Sequence, residues 1–264
     1  AGPSSSTHSL ARVNQAAWDK LSEDVRFVAH SFPATAEQAE DALDPWIRSE
    51  QVRGKKVICL AAGGGTHAPL LARAGAQVTV VDISPKMLDV DRRAAQELQL
   101  DIELHLGSAE DLSQLAAAQF DLAVQPVSMS YIKDPEQVYR QLARVLRPSA
   151  LYVAQHKSPS WLQSAGDMQH KRYWLNSRPG TVIEPPCTAV PNATSSLSQF
   201  ETGTIEIIHG LDALLGGLCR AGFVIEDFCE PPRGDAWSEF GQPAHQALFT
   251  PPYIKVKARF YGGL

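Results

Sequence analysis

Apolar and polar positions alternate along this chain in blocks, and the densest alternation lies between residues 55 and 82, KKVICLAAGGGTHAPLLARAGAQVTVVD. Residues 57–60 form a short apolar run, 61–65 have almost no side chains, 66–74 carry helical spacing, and 77–81 form a second β-branched run closed by Asp82. Pro69 falls in the first turn of the predicted helix, where a missing N–H is tolerated, and Gly75 stands just past its end. The pattern predicts a strand–helix–strand unit whose right-handed crossover makes the strands parallel. The alternation continues downstream. Ser84 and Pro85 read as N-cap and first residue of a helix with Met87, Leu88, Ala94, Ala95 and Leu98 on its apolar face. Residues 101–106 and 120–124 read as third and fourth strands. Asp134, Pro135 and Gln137 open a helix with Val138, Leu142 and Val145 inward, which feeds a fifth strand reaching Val153. Upstream, Val13, Ala17, Leu21 and Val25 space a helix over 10–27. Thr35 and Gln38 open a second helix, which Asp44-Pro45 restarts. Downstream, 204–208 reads as a strand, 211–221 as a helix and 222–228 as a sixth strand. One or both of 245–249 and 254–260 supply a seventh.

The turn in the first unit suggests a ligand. Gly63, Gly64 and Gly65 would let one lie against backbone N–H groups at a helix N-terminus. Asp82, ending the next strand, can accept two hydrogen bonds from a ribose diol. A nucleoside-containing cofactor follows from both. A strict dinucleotide fingerprint, G-x-G-x-x-G, is absent; the chain has A-A-G-G-G-T-H. Residues 59–65 instead resemble the first motif of the class I S-adenosylmethionine-dependent methyltransferases, acid-x-G-x-G-x-G. Cys59 then stands where that family has its acid, which supports the loop or the ligand's amino group, so another residue would do that job. Ala61 stands at the first glycine, a small loss provided its φ is negative. Further matches follow in order: G-S-A-E-D-L at 107–112 resembles the family's G-D-A-E-D-L, F-D-L-A-V at 120–124 its F-D-L-V-V, and 134–153 its helix, turn and fifth strand, with Pro148-Ser149-Ala150 for the usual Pro-Gly-Gly. The segment 14–21, NQAAWDKL, resembles the N-terminal part of members that cover their cofactor.

The resemblance implies a doubly wound α/β fold: a mostly parallel seven-stranded sheet of Rossmann-like type whose last strand is antiparallel, with N-terminal helices and an inserted lid. The expected division is a covering tail and helix over 1–34, a cofactor-binding core over 35–157, a lid over 158–203 and the rest of the sheet over 204–264. It also implies S-adenosyl-L-methionine as methyl donor and S-adenosyl-L-homocysteine as product. The expected cofactor residues are Trp18, Ala61, Ala62, Gly63, Gly65, Asp82, Ile83, Met87, Ser108, Ala109, Glu110, Gln125 and Pro126. Ser108 there takes the place of an acid facing the adenine amino group.

Composition narrows the partner. With 264 residues, 44% hydrophobic and 20% charged, the chain suits one large domain or a domain with an insertion. A net charge of −5 gives no footprint for phosphate backbones, so nucleic acid is not the expected substrate. The four cysteines are scattered without a C-x-x-C pair, which argues against zinc and against a disulfide framework. No run approaches a membrane span and no signal-peptide core is present, so a cytoplasmic monomer or homodimer is expected. Residues 158–201 are proline-rich and lack a clean period; Trp161, Tyr173, Trp174 and Phe200 predict a packed lid over a substrate. The expected reaction is methyl transfer to an oxygen or nitrogen of a small, partly apolar molecule. Tyr131, His156 and His209 are the expected acceptor-side residues, with one histidine as base. Two other readings stay open: a nicotinamide-dependent oxidoreductase on the same half-fold, and a methyltransferase-like domain without activity.

Overall fold

The structure is a computed structural model describing residues 4–24, 26–29, 31–184, 201 and 203–262; Val25, Cys187 and Phe200 lie outside the described residues. In chain order the elements are α1 (Ser4–Leu21), α2 (Ala36–Ala42), α3 (Pro45–Arg48), β1 (Lys56–Leu60), α4 (His67–Arg73), β2 (Gln77–Asp82), α5 (Pro85–Leu98), β3 (Ile102–Leu106), β4 (Phe120–Gln125), α6 (Pro135–Val145) and β5 (Leu146–Lys157). There follow α7 (Pro159–Gln163), β6 (Ser164–Asp167), β7 (Arg172–Leu175), β8 (Val182–Ile183), β9 (Glu206–Ile207), α8 (Gly217–Arg220), β10 (Phe223–Cys229), α9 (Pro243–Gln246) and β11 (Tyr253–Phe260).

Seven strands form one sheet in the order β10-β11-β5-β4-β1-β2-β3. The pairs from β3 to β5 are parallel, and β11 runs antiparallel to both of its neighbours. This is the doubly wound α/β sheet that the resemblance implies. Both faces are covered because successive residues of a strand point opposite ways. Ile58 and Leu60 of β1 join a core with Val138, Tyr139 and Leu142 of α6. Val57 and Cys59 join a second core with Ala39 of α2, Ile47 of α3 and Leu71 of α4.

Helix starts follow the capping chemistry. Ser84, Asp134 and Thr35 accept from the N–H of Met87, Gln137 and Gln38 respectively. Elsewhere the structure departs from the pattern for identifiable reasons. Residues 211–221 do not form one α-helix: a π-helical turn spans Asp212–Gly216 and α8 follows. The Tyr139 hydroxyl donates to the Leu214 carbonyl at 2.9 Å, inside this turn. A Cβ at Gly217 would lie 3.1 Å from the Tyr139 ring, a tight contact that glycine avoids. The Pro-Ser-Ala turn is absorbed as an irregularity inside β5, where Ser149 takes a left-handed φ of 67°. Of the two segments flanking Pro251-Pro252, the first is helical (α9) and only the second supplies the last strand. α1 begins at Ser4, in a stretch too small and polar to predict one. In the insert, Trp161 is buried, Tyr173 stacks on Phe240 at 4.8 Å, and Trp174 is exposed. No helix among the described residues is long and apolar enough to cross a membrane.

His156 lies on β5 among the residues of the α6 side and is fully buried, with neither ring nitrogen hydrogen-bonded. Burial, helped by neighbouring His209, pushes its pKa down to about 3. The unfolded chain binds this proton near the ordinary value of about 6.5 and the folded protein does not, so stability falls as pH drops from there towards 3. We expect His156→Leu to raise stability at pH 7, because a buried unpaired polar group costs about 1–3 kcal/mol. The gain should grow by roughly 1 kcal/mol per pH unit below 6. Urea unfolding of both proteins at pH 7 and 5 measures this; equal gains at the two pH values would contradict it.

Candidate active site

A cavity of about 390 Å³ opens where the carboxyl ends of β1, β2 and β4 meet, the place where open parallel sheets bind ligands. From the first unit, Ala61, Ala62 and Gly63 line it, and from β2 and the start of α5 come Asp82, Ile83 and Met87. Ser108, Ala109 and Glu110 follow β3; Pro126 and Tyr131 follow β4; Trp18 comes from α1. Trp18 is held edge-on by Phe27 at 5.5 Å and Tyr131 at 5.1 Å. α1 is tied down on either side of this ring. Buried Asn14 donates to the Tyr131 and Ile205 carbonyls and accepts from the Ile205 N–H. Asp19 accepts from the Ser84 hydroxyl at 2.6 Å.

The glycine turn is built differently from the expectation. Gly63 donates to Asp82 Oδ2 at 2.9 Å, and Gly64 and Gly65 donate to Asp91 Oδ2 and Oδ1, each at 3.1 Å. All three N–H groups are therefore held by carboxylates and none is free for a ligand. The close approach is real: a Cβ on Gly63 would meet Met87 Cβ at 2.7 Å. Ala61 has a φ of +47°, so an alanine occupies a left-handed position that a glycine would hold without strain. Asp82 also accepts from Ser84 N–H at 2.8 Å, which leaves lone pairs on both oxygens at the cavity wall. Burial pushes its pKa upward against the N–H groups of Ser84 and Gly63. These residues fit S-adenosylmethionine. Asp82 suits a ribose diol, and Ile83, Met87 and Ala109 offer an apolar slot for the purine. A pyrophosphate would find the N–H groups of Gly63, Gly64 and Gly65 already taken.

Four expected residues are not at the cavity. Gly65 is turned away, its N–H on Asp91. Gln125 is buried in the core, where it accepts from the Tyr152 hydroxyl at 2.6 Å and donates to Ser128 Oγ. His156 points to the α6 side of β5, while its neighbours Gln155 and Lys157 face the opposite way towards cavities. His209 is held by the Ile132 carbonyl at 2.9 Å and lines neither cavity. In their place the structure brings Glu201 to Tyr131. The Tyr131 hydroxyl donates to Glu201 Oε2, which also accepts from Lys157 Nζ at 2.6 Å. Lys157 Nζ reaches both oxygens of buried Glu206 at 2.9 and 2.8 Å. Burial pushes Glu206 up to about 8, and Lys157, with the Tyr131 hydroxyl, holds Glu201 low against its own burial.

Asp82→Ala should weaken S-adenosylmethionine binding about tenfold or more, the loss of a hydrogen bond to a charged acceptor. Calorimetry with unchanged affinity would remove Asp82 from the ribose site. Ala61→Gly should relieve the left-handed alanine and raise stability by about 1 kcal/mol with cofactor binding retained; a lower thermal midpoint would show that the turn is not strained.

The model of a family described as "Methyltransferase domain" matches residues 58–154, from β1 to the middle of β5. An uncharacterised methyltransferase, YbaJ, of Bacillus subtilis (strain 168) is 31% identical over 183 residues, 69% of this chain and 71% of that protein. A ubiquinone biosynthesis O-methyltransferase of Xanthomonas oryzae pv. oryzae is 32% identical over 95 residues, 36% of this chain but 40% of that protein. An S-adenosylmethionine-dependent methyltransferase structure from Mesorhizobium loti shares the fold with a TM-score of 0.64 at 23% identity, covering 86% of this chain and 98% of that one. With the motifs in order on a matching sheet, this chain belongs to the class I S-adenosylmethionine-dependent methyltransferases.

Proposed function

We propose that the protein methylates an oxygen or nitrogen of a small molecule seated beside the cofactor in a second cavity. The observation that carries this reading is the shared wall. A cavity of about 530 Å³ lies against the first, and Gln155, Glu201 and Tyr253 line both. Trp161, Pro243 and Pro252 give the second cavity apolar walls and Arg233 a cation, which suits a small molecule with one flat apolar face. The match to an O-methyltransferase supports oxygen as one acceptor atom.

The cofactor supplies a methyl group on a sulfonium, an excellent leaving group, so the protein mainly positions and dehydrates. A neutral hydroxyl or amine must also lose its proton. Its lone pair forms the bond to the methyl carbon as the carbon–sulfur bond breaks towards sulfur. The proton goes to the Glu201 carboxylate, which faces both cavities. Lys157 bridges Glu201 to Glu206, so the proton can pass on to Glu206 when that group is ionised. The Tyr131 hydroxyl, donating to Glu201, fixes the carboxylate's direction.

Incubation with methyl-labelled S-adenosylmethionine and a panel of phenols and primary amines tests the reading. Label should appear on oxygen or nitrogen, and turnover should rise with pH through about 8 as Glu206 loses its proton. Glu201→Gln should lower turnover by a factor of about 100 to 10,000, with cofactor affinity kept. Label on carbon, or full turnover in Glu201→Gln, would overturn the assignment.

A further inference from the structure

Asp91 lies in the middle of α5, one turn after Met87, on the helix's buried face. It is completely buried, yet it is a carboxylate among Met87, Leu88, Ala94 and Ala95. Its two oxygens are matched one to one with the N–H groups of Gly64 and Gly65. Those glycines have φ values of +112° and +77°, so the chain there bends twice through the left-handed region within two residues. Such a turn has many alternatives when free, and a rigid two-oxygen acceptor behind it selects one. Gly63 and Ala62, on the cavity wall, are carried by the same turn.

Beside Asp91 is Cys59, also completely buried, on β1. Cys59 occupies the acid position of the first motif, and its neutral thiol cannot serve as the acceptor that two amides need. One charged acceptor thus stands close to where the motif has one, but reaches the turn from the opposite element. We propose that Asp91 is the positioning residue of the cofactor site: held on α5 rather than β1, it sets the glycine turn and with it the affinity for S-adenosylmethionine, without touching the cofactor.

A second property follows from this geometry. Burial pushes the Asp91 carboxyl up to about 7. The N–H groups of Gly64 and Gly65 oppose that rise, and Asp82, facing it from the end of β2, adds to it. Cys59 faces it from β1, with its own thiol pushed up by burial and by the Asp91 charge. Asp19 of α1 acts on Asp82 in turn. Protonated Asp91 keeps one good acceptor for two N–H groups, so the turn is held by the ionised form. Cofactor affinity should then fall as pH drops below about 7, by up to about tenfold per unit.

The test is calorimetry of the protein with S-adenosylmethionine between pH 6 and 8, alongside thermal unfolding. Asp91→Ala should weaken binding by about tenfold to a hundredfold. Adding Cys59→Asp to Asp91→Ala should restore most of the affinity, because the carboxylate returns to the turn from the other side. Asp91→Asn, which keeps one acceptor, should bind with intermediate affinity and lose most of the pH dependence; Asp82 remains to titrate in that variant and marks its own share. A folded Asp91→Ala with wild-type affinity would overturn the proposal. If Asp91→Ala does not fold, Asp91→Asn decides: wild-type affinity with an unchanged pH profile overturns it equally. A Cys59→Asp/Asp91→Ala protein that folds but binds no better than Asp91→Asn would also count against it, since a merely structural role for Asp91 predicts no such rescue.

Discussion

The site depends on two buried carboxylates gripping three consecutive glycine N–H groups. Asp82 takes one and Asp91 takes two. Every other feature of the cavity refers to that turn. Met87 packs so close behind Gly63 that no side chain fits there. Asp82, fixed by Gly63 and Ser84, presents its remaining lone pairs to the cavity. Ser84 in turn is both the cap of α5 and the donor to Asp19 of α1. α1 is thereby linked, through the Ser84 hydroxyl and the Lys86 N–H, to the element that holds the turn. Buried carboxylates are costly without partners, and here each has backbone donors at good distance.

The second cavity is built on a different constraint, the parity of β5. This strand runs past the point where β4 stops pairing and ends at Lys157. Gln155 and Lys157 share one side with Leu151 and Val153, and His156 shares the other with Tyr152 and Ala154. The cavity-facing side thus receives a lysine, whose charge Glu201 and Glu206 answer. The opposite side receives a histidine that is compatible with the α6 core only when neutral. One residue of difference in position decides which of the two meets the second cavity.

Much of this fold was legible because its signals are local. Ser84, Asp134 and Thr35 cap where their spacing says they should, and apolar runs over 57–60, 77–81 and 120–124 mark the central strands. Asp82 was legible for the same reason, standing at a strand end after a glycine turn. His156 and His209 were not, because a strand end tells which edge a residue reaches but not which face its side chain takes. Gln125 misled in the same way: it is at the right edge and on the wrong face, bonded to Tyr152. Asp91 carried a signal that could have been read, as the one charged residue on an otherwise apolar helical face. Asn14 carried a related signal on α1, as an uncharged polar residue in line with Ala17 and Leu21. Glu201 carried none, since the stretch around it has no period and its partners Tyr131 and Lys157 are 70 and 44 residues away.

The same turn separates the two cofactor readings that the bare pattern left open. A dinucleotide site needs N–H groups aimed at a pyrophosphate, with glycines present so that the diphosphate can approach them. Here the glycines serve the opposite purpose. They let the chain fold back so that its N–H groups meet side-chain carboxylates, and the helix that follows, α4, starts behind that negative charge. A diphosphate brought to this turn would compete with Asp82 and Asp91 for the same donors and would face their charge. A cofactor bearing a sulfonium and an ammonium meets no such repulsion, and the turn leaves lone pairs of Asp82 unused at the cavity wall, where a ribose diol could donate to them. A glycine count alone cannot distinguish these sites; what distinguishes them is which acceptor holds the N–H groups, and in this chain the acceptors are already part of the protein.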